Sequence, residues 1–169
     1  MILHRIIPAV IVVILDQLSK YLIKSNFILY ESQEIIDPFL KFTYIENSGL
    51  AFGLPVGGFD WLLFIMTLFI SMYILYYIIS SKDIIFYESV SLSLILGGAI
   101  GNLIDRGFKL FDLFGYGGVI DFIDVGLFDM SWRWYIFNIA DLGISLGIGL
   151  YIFYSYFYSN LDDIENESA

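Results

Sequence analysis

Long apolar stretches, separated by shorter polar segments, dominate the chain. Four of them reach the roughly 20 residues that a helix needs to cross a bilayer, at residues 6–23, 59–80, 84–103 and 135–157. Two long connections, 24–58 and 104–134, lie between them, and an acidic polar tail follows at 159–169. The pattern predicts an all-α polytopic membrane protein, with residues 1–169 forming one membrane-embedded domain of four transmembrane helices and a disordered tail.

The two connections have patterns of their own. Residues 38–54 begin with an alternation of apolar and polar residues that is typical of short strands, and this alternation breaks at Asn47-Ser48-Gly49. Residues 108–128 mix aromatic residues, glycines and acids, which suits a segment lying in the membrane interface. The sequence therefore predicts a small β-containing region and an interfacial loop, with simple capping of the helical bundle as the alternative.

Three of the four predicted spans carry polar residues near one end. An ionisable residue within a span is costly, about 2.5–3.5 kcal/mol for Asp near the centre, and is by default a candidate functional residue. Because successive spans cross in opposite directions, the polar ends meet at the same face of the bundle. The residues that converge there are Asp16, Asn102, Asp105, Asn138 and Asp141.

The fourth span carries two of these polar residues. Asn138 and Asp141 are three residues apart, so a helix would place them on one face. Asp141 lies six residues after Tyr135, which on a helix starting there is about 9 Å below the membrane surface. A functional carboxylate is the favoured interpretation, and a structural hydrogen bond between helices is the alternative.

The first and third spans predict ion pairs. Asp16 and Lys20 are four residues apart, in the favourable order for a helical pair, and the Lys20 side chain is expected to reach the interface. Arg106 follows Asp105 directly and is expected to bind that carboxylate or another, which would favour its ionised form. Gly97, four residues before Gly101, predicts close helix packing.

Composition narrows the possible chemistry. The chain has no cysteine and a single histidine, His4, which excludes disulfides, a cysteine nucleophile, Ser-His catalysis and His-rich zinc sites. Hydrophobic residues make up 59% of the chain, so lipid is its natural solvent. The net charge of −10 argues against nucleic acid as a partner. Neither a metal nor a cofactor is expected.

Carboxylates are the groups best suited to catalysis in this inventory. Two neighbouring carboxyl groups can share one proton, so that one activates water while the other donates a proton to a carbonyl oxygen or a leaving nitrogen. Asp121 lies between apolar neighbours, which predicts a raised pKa. Amide hydrolysis is the favoured chemistry. A cation channel or transporter with an acidic site and a non-catalytic assembly subunit are the alternatives.

Five blocks of the sequence resemble, in order and over the whole chain, the bacterial lipoprotein signal peptidase family, signal peptidase II. They are "DQLSK" (16–20), "NSGLAF" (47–52), "GGAIGNLIDR" (97–106), "VIDF" (119–122) and "FNIAD" (137–141). The resemblance implies an aspartic endopeptidase with Asp121 and Asp141 as the catalytic pair. It also implies that the following residues bind substrate or support that pair: Asn47, Gly49, Asn102, Arg106, Asn138, Asp105, Asp16 and Lys20.

The resemblance further implies a substrate and a location. The substrate would be a prolipoprotein, cut on the N-terminal side of a diacylglyceryl-modified cysteine. The enzyme would be a monomer in contact with lipid in the bacterial cytoplasmic membrane, with its active site at the extracytoplasmic face and both termini in the cytoplasm. The positive-inside rule predicts the opposite orientation, because only Arg5 and Lys82 would be inside while the other cations, Lys20, Lys24, Lys41, Arg106, Lys109 and Arg133, would be outside.

The sequence departs from the family pattern in two places. Residues 107–118 form a longer connection than is usual between the third and fourth blocks, and Leu50 replaces a small residue. The longer connection leaves other carboxylates as alternative partners for Asp141, namely Asp105, Asp112, Asp124 and Asp129.

Overall fold

Four long helices form the body of the protein in a computed structural model that describes residues 3–49, 59–127 and 132–167. The helices are α1 (Leu3–Asn26), α2 (Asp60–Ser80), α3 (Phe86–Leu110) and α4 (Ile139–Glu167). Each contains an apolar stretch long enough to cross a membrane, which confirms the prediction of a polytopic protein with four spans. Leu50 and Asp129 lie outside the described residues.

Two helices differ in extent from the predicted spans. Helix α4 begins at Ile139 rather than at residue 135, and it continues to Glu167, into the tail that was predicted to be disordered. No Pro or Gly follows Gly149, so nothing in the sequence interrupts the helix there. Helix α3 continues past residue 103 to Leu110, which places Asn102, Asp105 and Arg106 on helical backbone.

Helix α3 is the central helix and packs against α1, α2 and α4. A Cβ atom added at Gly97 would lie 2.8 Å from Ala9 Cα, and one added at Gly101 would lie 2.6 Å from Asp16 Oδ2. The predicted packing role of these two glycines is therefore confirmed, because any larger residue would push α1 away.

A four-stranded antiparallel sheet lies at one end of the bundle, so the all-α class was too narrow. Its strands, in spatial order, are β1 (Ser32–Ile36), β2 (Leu40–Asn47), β3 (Val119–Leu127) and β4 (Trp132–Arg133). The strands predicted within 38–54 are confirmed by β2. Strand β3 was missed, although its sequence, VIDFIDVGL, is rich in the β-branched residues that favour strands. We refer to this end of the bundle as the sheet end.

The sheet is attached to the bundle by its own small core. Ile23 at the end of α1, Tyr44 on β2, and Ile120 and Phe122 on β3 are buried together. Pairing of β2 with β3 places Ile45 opposite Asp121. In addition, Phe137 forms a bridge with Ile123, which brings the start of α4 to the same strand. Strand β3 therefore lies directly over the ends of the helices.

Candidate active site

The first turn of α4 holds Asp141 in a reciprocal capping arrangement with Asn138. The backbone N–H of Asp141 donates to Asn138 Oδ1 over 2.9 Å, and the backbone N–H of Asn138 donates to Asp141 Oδ2 over 3.2 Å. This is the geometry of a capping box, in which two unpaired N–H groups at a helix start are satisfied by side chains. The prediction that both residues lie within the first two turns of a helix starting at Tyr135 was wrong, because the helix begins at Ile139. Asp141 is instead fixed at the point where the helix begins.

Asp121 occupies the middle of the site from strand β3. Its side chain is almost fully buried, Oδ1 accepts from Asn138 Nδ2 over 2.6 Å, and Oδ2 accepts from Asn47 Nδ2 over 3.2 Å. The Asn47 amide is oriented by the next turn, because the Gly49 N–H donates to Asn47 Oδ1 over 2.9 Å. Of the predicted supporting positions, Asn47 therefore contacts Asp121 directly, and Gly49 acts on it only by orienting Asn47.

Two asparagine side chains connect the carboxylates of Asp121 and Asp141. The side-chain amide of Asn138 donates to the Asp121 carboxylate, and its backbone N–H donates to the Asp141 carboxylate. Asn102 on α3 donates from Nδ2 to Asp141 Oδ1 over 2.8 Å, and its Oδ1 accepts from Asn138 Nδ2 over 3.0 Å. Amide N–H groups therefore orient both carboxylates, and both carboxylates line the same cleft.

Lys20 lies at the centre of a buried ionic cluster below the two asparagines. Its Nζ is 2.8 Å from Asp16 Oδ2, 2.9 Å from Asp105 Oδ2 and 3.0 Å from Asn102 Oδ1. The predicted helical pair with Asp16 is confirmed. The expectation that Lys20 extends to the interface was wrong, since its side chain is 1% exposed. Three acceptors match the three N–H donors of an ammonium group, and they hold it inside.

The two acids of this cluster also fix the backbone beside Asp121 and Asp141. Asp105 Oδ2 accepts from the N–H of Ile120 over 3.1 Å, and Asp16 Oδ1 accepts from the N–H of Ala140 over 2.9 Å. Ile120 and Ala140 directly precede Asp121 and Asp141 in sequence. The cluster therefore anchors the two segments that carry the site's carboxylates.

Arg106 does not bind Asp105, contrary to the sequence-based expectation. Asp105 is occupied by Lys20 and by Gln17, whose Nε2 lies 3.1 Å from Asp105 Oδ1. Arg106 makes no ion pair with any carboxylate in the described parts of the chain. It lines the cleft instead, one residue further along α3 and so on a different face of the helix.

The cleft has a volume of about 560 Å³ and opens between α2, α3 and α4. Asp121, Asp141, Asn47, Asn102 and Arg106 form its polar end. Apolar side chains line the remainder, among them Ile70, Ile95, Ala99, Leu142 and Ile144. A polar site with one buried and one partly buried carboxylate thus continues directly into an apolar groove between membrane-spanning helices.

Burial raises the pKa of Asp121 to about 7, and the charge of Asp141 acts in the same direction. Hydrogen bonds from Asn47 and Asn138 and the charge of Lys20 lower it by less. Asp121 therefore exchanges its proton near neutral pH, as the apolar surroundings of its sequence predicted.

Two further candidate acids, Asp124 and Asp112, lie away from the cleft. Asp124 accepts from Arg133 Nε over 2.6 Å and from Thr43, and Asp112 lies in a turn after α3 with a φ of 53°. Neither lines the cleft. Sequence reasoning missed Gln17, which bonds both acids of the Lys20 cluster. Its position between Asp16 and Lys20 in "DQLSK" was the available signal.

Comparison with known proteins finds relatives that match most of the chain. The family model described as signal peptidase (SPase) II matches residues 8–157. The lipoprotein signal peptidase of Syntrophomonas wolfei is 44% identical over 137 residues, covering 81% of this chain and 82% of that protein. That of Syntrophus aciditrophicus is 40% identical over 147 residues, covering 85% and 86%. A bacterial membrane enzyme solved by the in meso method at 2.3 Å superposes with a TM-score of 0.76 at 35% identity, covering 96% of this chain and 90% of that one.

Proposed function

The chain belongs to the signal peptidase II family, the proteases that remove signal peptides from prolipoproteins, and from this premise we propose that Asp121 and Asp141 carry out the hydrolysis. The observation that carries the proposal is their common attachment to Asn138 at the polar end of one cleft. Membership of this family favours a protease over a channel or an assembly subunit.

The proposed reaction uses one proton shared by the two carboxyl groups. Asp121, whose pKa is raised to about 7, holds the proton, and Asp141 accepts a proton from water. The water oxygen bonds to the scissile carbonyl carbon while Asp121 protonates the carbonyl oxygen, giving a tetrahedral diol. When the diol collapses, the C–N bond breaks and Asp141 returns its proton to the leaving nitrogen. Asp121 regains its proton from the diol hydroxyl.

Arg106 and the apolar groove are proposed to bind the substrate. The guanidinium of Arg106 faces the cleft without a described carboxylate partner, so its N–H donors are available for carbonyl oxygens of the substrate. The groove that continues between α2 and α4 suits the apolar end of a signal peptide or the acyl chains of a diacylglyceryl group. We place the sheet end at the extracytoplasmic face, with the substrate's lipidated cysteine at the level of Asp141, and propose that the protein acts as a monomer.

The test is cleavage of a lipidated signal-bearing peptide by purified protein. Asp121→Asn and Asp141→Asn should each lower kcat by about 10²–10⁴-fold, the usual contribution of an acid–base group. The double variant should be little worse, because the two residues act as a unit. Binding of the lipopeptide should persist in all three variants.

Asp112→Asn is the matched control. Asp112 has positive φ outside the cleft, a conformation that Asn tolerates well, so cleavage should be normal. The proposal is refuted if Asp121→Asn cleaves at a near-normal rate while a folded Asp105→Asn is inactive. That result would make Asp105 the partner of Asp141.

A further inference from the structure

The connection between α3 and β3 folds into a compact hook at residues 110–115. The Leu113 N–H donates to Phe108 O over 2.8 Å, and the Tyr116 N–H donates to Leu113 O over 3.3 Å. Asp112, Phe114 and Gly115 have φ values of 53°, 54° and 63°. Left-handed backbone at a bulky residue such as Phe114 is uncommon and persists only where the surroundings determine it.

An aromatic cluster fixes the hook from its inner side. The ring of Phe108 lies 5.0 Å from those of Phe114 and Tyr116, measured between centroids. Lys24 on α1 donates from Nζ to Gly115 O over 3.0 Å and lies 4.5 Å from the Tyr116 ring centroid. The hook therefore has a defined shape without any partner molecule.

The outer side of the hook is apolar and exposed. Phe111 and Phe114 are 64% and 74% exposed, and Leu110 and Leu113 are 38% and 43% exposed. Four large apolar side chains on one turn form an exposed apolar surface, and such surfaces mark sites that contact another apolar surface.

Contacts with α2 place the hook at the end of the membrane spans. Lys109 Nζ lies 2.7 Å from Asp60 Oδ1 at the first residue of α2, and the ring of Phe111 lies 6.1 Å from that of Phe64, one turn later. The first turn of α2 exposes Trp61 and Leu62. The apolar side of the hook is thus continuous with the outward surface of a transmembrane helix, at the depth where aromatic side chains favour the membrane interface.

We propose that the hook is a fixed interfacial anchor that inserts Phe111, Leu113 and Phe114 into the lipid leaflet at the sheet end. The partner of the exposed side of the hook is lipid, because the apolar surface of the hook continues the apolar surface of α2 at the same level. The proposal does not depend on which residues perform the hydrolysis.

The absence of cysteine from the chain allows a direct test with single-cysteine spin labels. Phe114→Cys and, separately, Leu113→Cys are labelled in vesicles of phosphatidylethanolamine and phosphatidylglycerol. Phe69→Cys, on the exposed middle of α2, is the lipid control, and Glu34→Cys, exposed on β1, is the water control. Collision rates with oxygen and with a water-soluble nickel complex are measured for each label, after gel filtration has shown a native profile.

Both hook labels should collide with oxygen more than with nickel. Their oxygen-to-nickel ratio should be at least about threefold above that at position 34 and should approach that at position 69. A ratio equal to that at position 34 would overturn the proposal, since the hook would then lie in water. Labels shielded from both reagents would overturn it too, because the hook would then be covered by protein such as a second copy of the chain.

Discussion

Replacing Lys20 with Met should destabilise the protein strongly. Met keeps most of the volume of the side chain but removes the ammonium group, which lies 2.8 Å and 2.9 Å from the carboxylates of Asp16 and Asp105. Both acids are 0% exposed, so water cannot replace the lost cation. The variant therefore leaves two buried negative charges facing each other.

The expected loss of unfolding free energy follows from the burial of these charged groups. Removing one partner of a buried ion pair costs about 3–5 kcal/mol, because the other charge stays desolvated. Here one cation serves two anions and also bonds Asn102 Oδ1, so the upper part of that range is expected. Since folded domains are stable by only about 5–15 kcal/mol, Lys20→Met should approach the limit of folding.

Unfolding of the purified protein by SDS in mixed micelles, followed by far-UV circular dichroism, measures the effect. The control is the double variant Asp16→Asn/Lys20→Met, which returns the buried cluster to a single negative charge, as in the native protein. If charge is the cause, the double variant should be more stable than Lys20→Met alone, and the double-mutant cycle should give a coupling of at least about 1 kcal/mol.

A loss below about 1 kcal/mol in Lys20→Met would refute this reasoning. So would a double variant less stable than the single one. Either result would mean that the acids of the cluster are neutral or solvated in the folded protein.

Three further changes test other contacts. Asp16→Asn should lower the yield of folded protein or slow turnover without abolishing cleavage. The reason is that the Asp16 side chain accepts a hydrogen bond from the Ala140 N–H and lies outside the cleft. Complete loss of activity at normal stability would instead make Asp16 a catalytic residue. The pKa of Asp121 near 7 predicts that kcat/KM falls as pH rises through about 7. Since the folded protein binds that proton more tightly than the unfolded chain, unfolding free energy should also fall between about pH 4 and 7, and this fall should vanish in Asp121→Asn. Glu46→Gln breaks a 2.7 Å ion pair with Lys24 and should cost about 1–3 kcal/mol in the same SDS titration, with little effect on the pH profile; an unchanged midpoint would contradict it.

The sequence predicted which polar residues form the site better than it predicted which of them pair with each other. The polar ends of the spans meet at one face because successive spans cross the membrane in opposite directions. The position of each span follows from the length of its apolar stretch, which is a local property of the chain. Which cation pairs with Asp105 is not local. Arg106 is its neighbour in sequence, but adjacent helical residues point about 100° apart, and Lys20 on another helix reaches Asp105 instead.

The start of α4 shows a second limit of sequence reasoning. Residues 135–137 are as apolar as the span that follows, so hydropathy alone extends the helix through them. The pairing of Phe137 with strand β3 is a tertiary contact and overrides that tendency. The motif Asn138-x-x-Asp141 contained the signal for a capping box, but its spacing also fits two residues on one helical face. Strand β3 was missed for a related reason, since its partner β2 lies more than seventy residues away.

The Asp16–Lys20 pair also bears on how the chain is assembled during synthesis. Helix α1 is made before α3 and must enter the membrane when Asp105 and Asn102 do not yet exist. Because its acid and its base lie one turn apart and bond each other, the nascent helix carries its own counterion. Lone charges would each cost about 2.5–3.5 kcal/mol near the centre of a span on insertion scales. The first helix can therefore be inserted without waiting for the third, whose Gly101 leaves the space into which Asp16 fits.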